Sequence, residues 1–262
     1  MQPSREDSRH RWHPIAIARA LLSRASGAER LTLVVLGGVA TLALLFAKIA
    51  EEVMEGETGG LDRKLLLMLR DPSNPADPIG PRWLEEMMRD FTALGGIAVV
   101  MLLVAGVCGF LALTGRRRTA LLVLAAIAGG TLLSTALKYG FSRPRPELVP
   151  HGSIVYTSSF PSGHSTMSAV VYLTLGALLA RTQSSLGVKL YVMGAAALLT
   201  LLVGVSRVYL GVHWPTDVLA GWVLGSAWAV LCWLAMIWLQ DHGQVEPETA
   251  TDADPTDGTG VA

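Results

Sequence analysis

Apolar residues in this chain are gathered into blocks of membrane-spanning length, and that feature constrains the fold more than any other. Six blocks are legible: Leu31 to Ala47, continuing past Lys48 to Ala50; Phe91 to Gly115, with no charge along its length; Thr119 to Leu137; Ser165 to Ala180; Leu190 to Val205; and Val218 to Leu239. The fourth and fifth are short, and their flanking polar side chains must snorkel before they reach about 17 residues. Of 262 residues, 51% are hydrophobic and 16% are charged, against about 25% charged in soluble domains. That balance excludes disorder, a collagen or a disulfide scaffold for the bulk of the chain and makes a soluble helical core the poorer account. The expected fold is all-α, a bundle of six transmembrane helices, because lipid offers no partner to an unpaired backbone group.

Block one follows an arginine-bearing stretch, as a signal peptide would, but it exceeds the roughly 7–15 residues of a signal core and no small-x-small cleavage site follows. It is expected to be retained. Arg5, Arg9, Arg11, Arg19, Arg24 and Arg30 precede it, Arg116 to Arg118 join blocks two and three, and Arg181 and Lys189 bracket a later loop. By the positive-inside rule these flanks and both termini lie in the cytoplasm. The expected organisation is an N-terminal cytoplasmic segment over 1–30, a membrane domain over 31–240 with an outer loop at 51–90, and a cytoplasmic tail over 241–262. That tail holds six acids and no lysine or arginine, so disorder is expected there. Net charge is zero, which gives no reason to expect a nucleic-acid partner. Cys108 and Cys232 sit inside apolar blocks and read as small hydrophobes.

Within the 51–90 loop, Trp83, Leu84, Met87, Met88 and Phe91 recur at helical spacing after Pro81. They predict an amphipathic helix at the outer interface, packed against the bundle rather than acting as a lipid lid.

Cations also gather on the outer side, where the insertion rule discourages them. Lys138, Arg143 and Arg145 follow block three; Pro161-Ser162-Gly163-His164 precedes block four; Ser206-Arg207 ends block five, with His213 and Asp217 before block six. Singly, each has a bland reading: an anchor, a helix cap, an acid at a helix N-terminus. Jointly they describe an anion site. Ser162 and the free N–H groups of Gly163 and His164 would face an anion at a helix N-terminus, with Lys138, Arg145 and Arg207 around its remaining oxygens. His213 and Asp217, four apart, can share a helix face, so the carboxylate can hold the imidazole in one tautomer. His164 stays free to act as an acid.

These three stretches resemble the signatures of the type 2 phosphatidic acid phosphatase (PAP2) superfamily, K-x6-R-P, P-S-G-H and S-R-x5-H-x3-D, in residue and spacing. Only Arg145-Pro146 fits the first pattern; Arg143-Pro144 lies two residues out of register, which leaves open whether Arg143 shares the phosphate-binding role. The resemblance implies that His213 is a nucleophile forming a phosphohistidine, with Asp217 stabilising its ring. It implies that His164 protonates the leaving group and then activates water. Lys138, Arg145, Ser162, Gly163 and Arg207 would bind phosphate, with no metal or other cofactor.

A site at the outer helix ends of a chain held in the bilayer best meets a phosphate at headgroup depth. The expected substrate is therefore a lipid phosphate or diphosphate at the outer face of a bacterial inner (plasma) membrane. Undecaprenyl pyrophosphate, phosphatidylglycerol phosphate and phosphatidic acid are the candidates the resemblance implies, and the partners are that substrate and the membrane lipids. A lipid phosphotransferase would use the same residues. A transporter is the non-enzyme alternative, and a vanadium haloperoxidase is disfavoured by membrane retention.

Overall fold

The computed structural model describes residues 27–147 and 158–246, and every regular element among them is a helix. In chain order these are α1 (Gly27–Met54), α2 (Gly59–Leu67), α3 (Arg82–Ala93), α4 (Ile97–Leu113), α5 (Arg117–Gly140), α6 (Gly163–Arg181), α7 (Leu186–Tyr209) and α8 (Pro215–Asp241). Five of them, α1, α5, α6, α7 and α8, are long and apolar enough to cross a membrane. The pair α3 and α4 passes the same test only when taken together, which makes the count five or six, and the two bend by 48° at the break between them. Block two therefore does not form one straight helix from Phe91: the chain turns through Leu94, Gly95 and Gly96, and Phe91 belongs to α3. The two short blocks reach spanning length as α6 and α7, of 19 and 24 residues, by recruiting their polar flanks.

Helix α6 is central, packed against both α7 and α8; α1 lies on α8, α5 joins α4 to α6, and α3 lies on α7. Small residues make these approaches. A Cβ at Gly225 would stand 2.5 Å from the backbone oxygen of Thr166, and one at Gly221 would stand 2.8 Å from that of Ser162. Close backbone approach of this kind is the main source of helix association in lipid, where apolar burial brings little net gain. An aliphatic cluster of Val100, Val104, Leu111, Val123 and Val171 ties α4, α5 and α6 together and includes Cys108. A second cluster, Ile49, Ala50, Val53, Ala220 and Val223 around the fully buried Phe160, seats α1 on α8. Trp222 and Trp228, inside α8, donate their indole N–H groups to the carbonyls of Thr200 and Ala126 on neighbouring helices.

The amphipathic helix is α3, which starts at Arg82 with Pro81 at its N-cap. Its apolar stripe is half-buried on α7, except Trp83, which is exposed. At the opposite end, the expected disordered tail needs correction for its first residues. After α8 ends, Val245 is buried and the Glu246 carboxylate accepts from the backbone N–H groups of Arg118 and Thr119, capping α5. An acid at a helix N-terminus is held there by the free N–H groups and the dipole, and those bonds keep the Glu246 carboxyl below its usual range against the opposing effect of desolvation. Residues 1–26, and the rest of the tail, lie outside the described residues.

Candidate active site

The three motifs, distant in the chain, converge at one end of the bundle. Lys138 is in the last turn of α5, Gly163 and His164 open α6, Arg207 is in the last turn of α7, and His213 and Asp217 flank the start of α8. Hydrogen bonds between the connections lock them together. Lys138 Nζ donates to the carbonyl of Ser158 (3.0 Å), and the Ser159 N–H to that of Arg143 (2.9 Å). The Ser162 N–H donates to the carbonyl of Asp217 (3.0 Å), and Trp214 Nε1 to that of Pro144 (2.9 Å). Pro146 and Pro161 are fully buried in this junction.

Lys138, Arg145, Gly163, His164, Arg207 and His213 share a cavity of about 400 Å³ whose far wall is Gly95, Ile97, Thr131, Ser134, Thr135 and Met167. One side is thus cationic and the other leads toward the lipid-facing helices α4 and α5. Arg145 and Arg207 each bury an Nε that has no acceptor among the described residues. Arg207 is braced by a bond from its Nη1 to Thr92 Oγ1 of α3 (3.0 Å).

His213 is 2% exposed. Arg145 Nη1 lies 3.0 Å from its Nε2 and also donates to the Val212 carbonyl. A guanidinium has no acceptor, so Nε2 accepts, and the proton resides on Nδ1. That Nδ1–H points to Ser159 Oγ at 3.3 Å and Asp217 Oδ2 at 3.4 Å. Burial pushes the His213 imidazole down to about 4, against the opposing pull of the Asp217 carboxylate. The ring is therefore neutral at pH 7, with a lone pair on Nε2, the nitrogen that accepts from Arg145. Arg145 is lowered from its ordinary value by the same desolvation, yet a guanidinium remains charged.

Asp217 is fully buried and multiply held. Its Oδ2 accepts from Ser159 Oγ and from the Trp214 N–H (3.0 Å), the latter being half of a capping box at the start of α8. Its Oδ1 accepts from Arg143 Nη1. Arg143 is thus turned away from the cavity, toward carboxylates, and does not stand beside Arg145 as a second phosphate donor. Ser162 also differs from the anion-facing picture: it is fully buried, its hydroxyl accepts from the Oγ and N–H of Ser165, and it does not line the cavity. Its place is the N-cap of α6. Sequence reasoning missed Ser159 and Thr216, which no spacing singles out, and Asp62 of α2, which lies outside every motif.

Comparisons with known proteins give the family. The PAP2 superfamily profile matches residues 119–241. Phosphatidylglycerophosphatase B of Bacillus subtilis is 37% identical over 146 residues, covering 55% of this chain and 70% of the relative. An undecaprenyl-diphosphatase of Sulfolobus acidocaldarius is 43% identical over 68 residues, 26% of this chain and 29% of that one. The crystal structure of the transmembrane PAP2-type phosphatidylglycerolphosphate phosphatase from Bacillus subtilis matches with a TM-score of 0.66 at 30% identity, over 77% of this chain and 96% of that one. Fold and site together define a membrane-embedded phosphate-ester hydrolase. The chain belongs to the PAP2 superfamily, in its membrane lipid-phosphatase branch.

Proposed function

We propose that the chain hydrolyses a lipid phosphate or diphosphate monoester, of the phosphatidylglycerol phosphate, undecaprenyl pyrophosphate or phosphatidic acid type, through a phosphohistidine on His213. The observation that carries this reading is the orientation of His213. Its Nδ1–H is committed to Ser159 and Asp217, and its Nε2, which accepts from Arg145, belongs to a ring lining the cavity shared with Lys138, Arg145 and Arg207. Nε2 attacks phosphorus as the bond to the leaving oxygen breaks, and His164, on the same cavity, gives that oxygen a proton. Water, deprotonated by His164, then attacks the same phosphorus; the P–N bond breaks and inorganic phosphate leaves. Asp217 stabilises the positive charge on the phosphorylated ring.

Lys138, Arg145, Arg207 and the first N–H groups of α6, at Gly163 and His164, hold the phosphate oxygens; these N–H groups have no intrahelical acceptor. The unpartnered Nε groups of Arg145 and Arg207 suit the same oxygens. Ser162 contributes by fixing the α6 terminus. The residues serve without a metal, and chelation by EDTA is expected to leave the rate unchanged.

The lipid-facing wall formed by Ile97 and Met167 suits an acyl or prenyl tail that stays in the bilayer. The arginines before α1 and between α4 and α5 favour cytoplasmic termini, with the site opening on the outer face of an inner membrane. A phosphate-release panel on purified protein in detergent, with prenyl diphosphates, glycerophospholipid phosphates and water-soluble phosphomonoesters, tests the substrate class. Lipid substrates are expected to be hydrolysed well above soluble ones, and the reverse order overturns that class. His213→Ala is expected to abolish both turnover and the acid-labile phosphoenzyme in folded protein; normal phosphate release by that variant removes the nucleophile.

A further inference from the structure

Asp62, on the short helix α2, is fully buried and distant in sequence from every motif. Its Oδ1 accepts from the Thr216 N–H (2.9 Å), and its Oδ2 from Thr216 Oγ1 (2.7 Å) and Arg143 Nη2 (2.5 Å). Arg143 reaches onward: Nη1 donates to Asp217 Oδ1 (2.5 Å) and to Thr216 Oγ1 (2.8 Å), and Nη2 also donates to Thr58 Oγ1 (3.2 Å). The guanidinium of this side chain, 11% exposed, thus lies between two carboxylates that are 0% exposed, and its Cζ is 5.8 Å from the centroid of the Trp214 ring. A buried charge without a partner is costly, and removing one member of such a set strands the others. Thr216 precedes Asp217 directly, so Asp62 fixes the first turn of α8 by backbone and side chain together.

We propose that Asp62 and Arg143 are positioning residues that set the orientation and charge of Asp217, and through it the tautomer of His213. Arg143 alone would draw the Asp217 carboxylate toward itself and leave it a weaker acceptor for the His213 Nδ1–H. Asp62 opposes that by taking the other edge of the guanidinium, so Asp217 stays ionised and still available to the ring. The groups facing the His213–Asp217 pair are then Arg143 and Asp62 behind it, Arg145 from the α5–α6 connection, Lys138 of α5, His164 of α6 and Arg207 of α7. Of these charged groups, Arg143 bonds to Asp217 without lining the cavity, and Asp62 reaches the pair through Arg143 and Thr216. They can alter its protonation without touching phosphate.

The inference rests on His213 being the nucleophile, and the test separates the two. Purified full-length Arg143→Gln and Asp62→Asn proteins are compared with the unsubstituted chain by kcat, KM and the acid limb of kcat/KM, normalised to folded protein. Each variant is expected to lose about tenfold or more in kcat with KM nearly unchanged. The limbs are expected to move in opposite directions. Arg143→Gln removes a cation beside Asp217 and raises the limb by about one pH unit, whereas Asp62→Asn removes an anion and lowers it. Loss of rate with both limbs unmoved, or full rate in Asp62→Asn, overturns the proposal. If Asp62→Asn does not accumulate, Arg143→Lys carries the test, because an ammonium keeps the charge but not the two-edged bridge. It is expected to keep the limb near its original position and to lose kcat; retention of full kcat overturns the bridging role. A His213→Ala protein that still turns over defeats the nucleophile assignment instead.

Discussion

Helices α6 and α4 are both apolar enough to sit in lipid, yet they are built for different neighbours. The N-terminal half of α6 carries Ser165, Thr166 and Ser168, all buried, whose hydroxyls bond to Ser162 or to carbonyls one turn back. Along α4, by contrast, Ile97, Leu102 and Leu113 are 79%, 76% and 91% exposed. Small side chains let α6 approach α7 and α8 at backbone distance, whereas large aliphatic ones present an adaptable surface to lipid tails. The active site lies where these two kinds of wall meet. Its cationic side is closely packed, and its other side mixes Ile97 and Met167 with the hydroxyls of Thr131, Ser134 and Thr135.

The largest effect is expected from breaking the closely packed wall. Gly225→Leu would drive a side chain into Thr166 and Ala169, at a cost of at least about 1–3 kcal/mol, and would separate His164 from His213. Thermal unfolding in detergent is expected to drop by several degrees, with nearly all phosphate release lost; a variant as stable and active as the original would show that the α6–α8 contact is not close. Next, Arg145→Ala removes a cation from the cavity and the donor that orients His213 Nε2. A loss of about 10²–10³ in kcat, roughly 3–4 kcal/mol, is expected in steady-state assays, and a change in KM alone would make Arg145 a ground-state binder only.

Acid stability probes the same wall without mutation. His213 has its pKa lowered from 6.5 to about 4 in the folded protein, so between those values the unfolded chain binds more protons. Stability from this group is full above about pH 6.5 and is lost as pH falls to about 4, by up to about 3 kcal/mol, with no further loss below. Unfolding temperature measured across that window should fall toward acid, and His213→Gln should flatten the slope; an unchanged slope in that variant would show that other groups set it. The smallest effect belongs to the adaptable wall. Gly106, on α4, has open space where a Cβ would stand, so Gly106→Ala should leave activity intact and shift stability by less than about 1 kcal/mol, toward greater stability. Marked inactivation would mean that α4 packs against something at that position.

Much of the bundle was legible because spanning length is a local property, and each apolar block announces itself without reference to the others. The bend at Leu94 to Gly96 was not legible, since an uncharged run through Gly95 and Gly96 reads as continuous apolar sequence. Lys138, Arg145, Gly163, His164, Arg207, His213 and Asp217 were legible through motif spacing. Ser162 was placed at the correct helix terminus, and only the structure shows its hydroxyl engaged by Ser165 at the cap, because capping and anion contact use the same residue type at the same position. Arg143 was ambiguous for a similar reason: adjacent Arg-Pro pairs look alike until their side chains are seen to point in opposite directions.

By itself the sequence determined that the chain lives in lipid as helices and that the motif residues stand at helix ends, because hydropathy and charge act on each segment directly. Only the tertiary structure decided which cations line the cavity and that Arg143 instead holds Asp217 from outside it. Asp62 and Ser159 acquire their roles solely from what they are buried against. A buried carboxylate must find its partners in space, and nothing in the spacing of residues 62, 143 and 217 along the chain says that they meet.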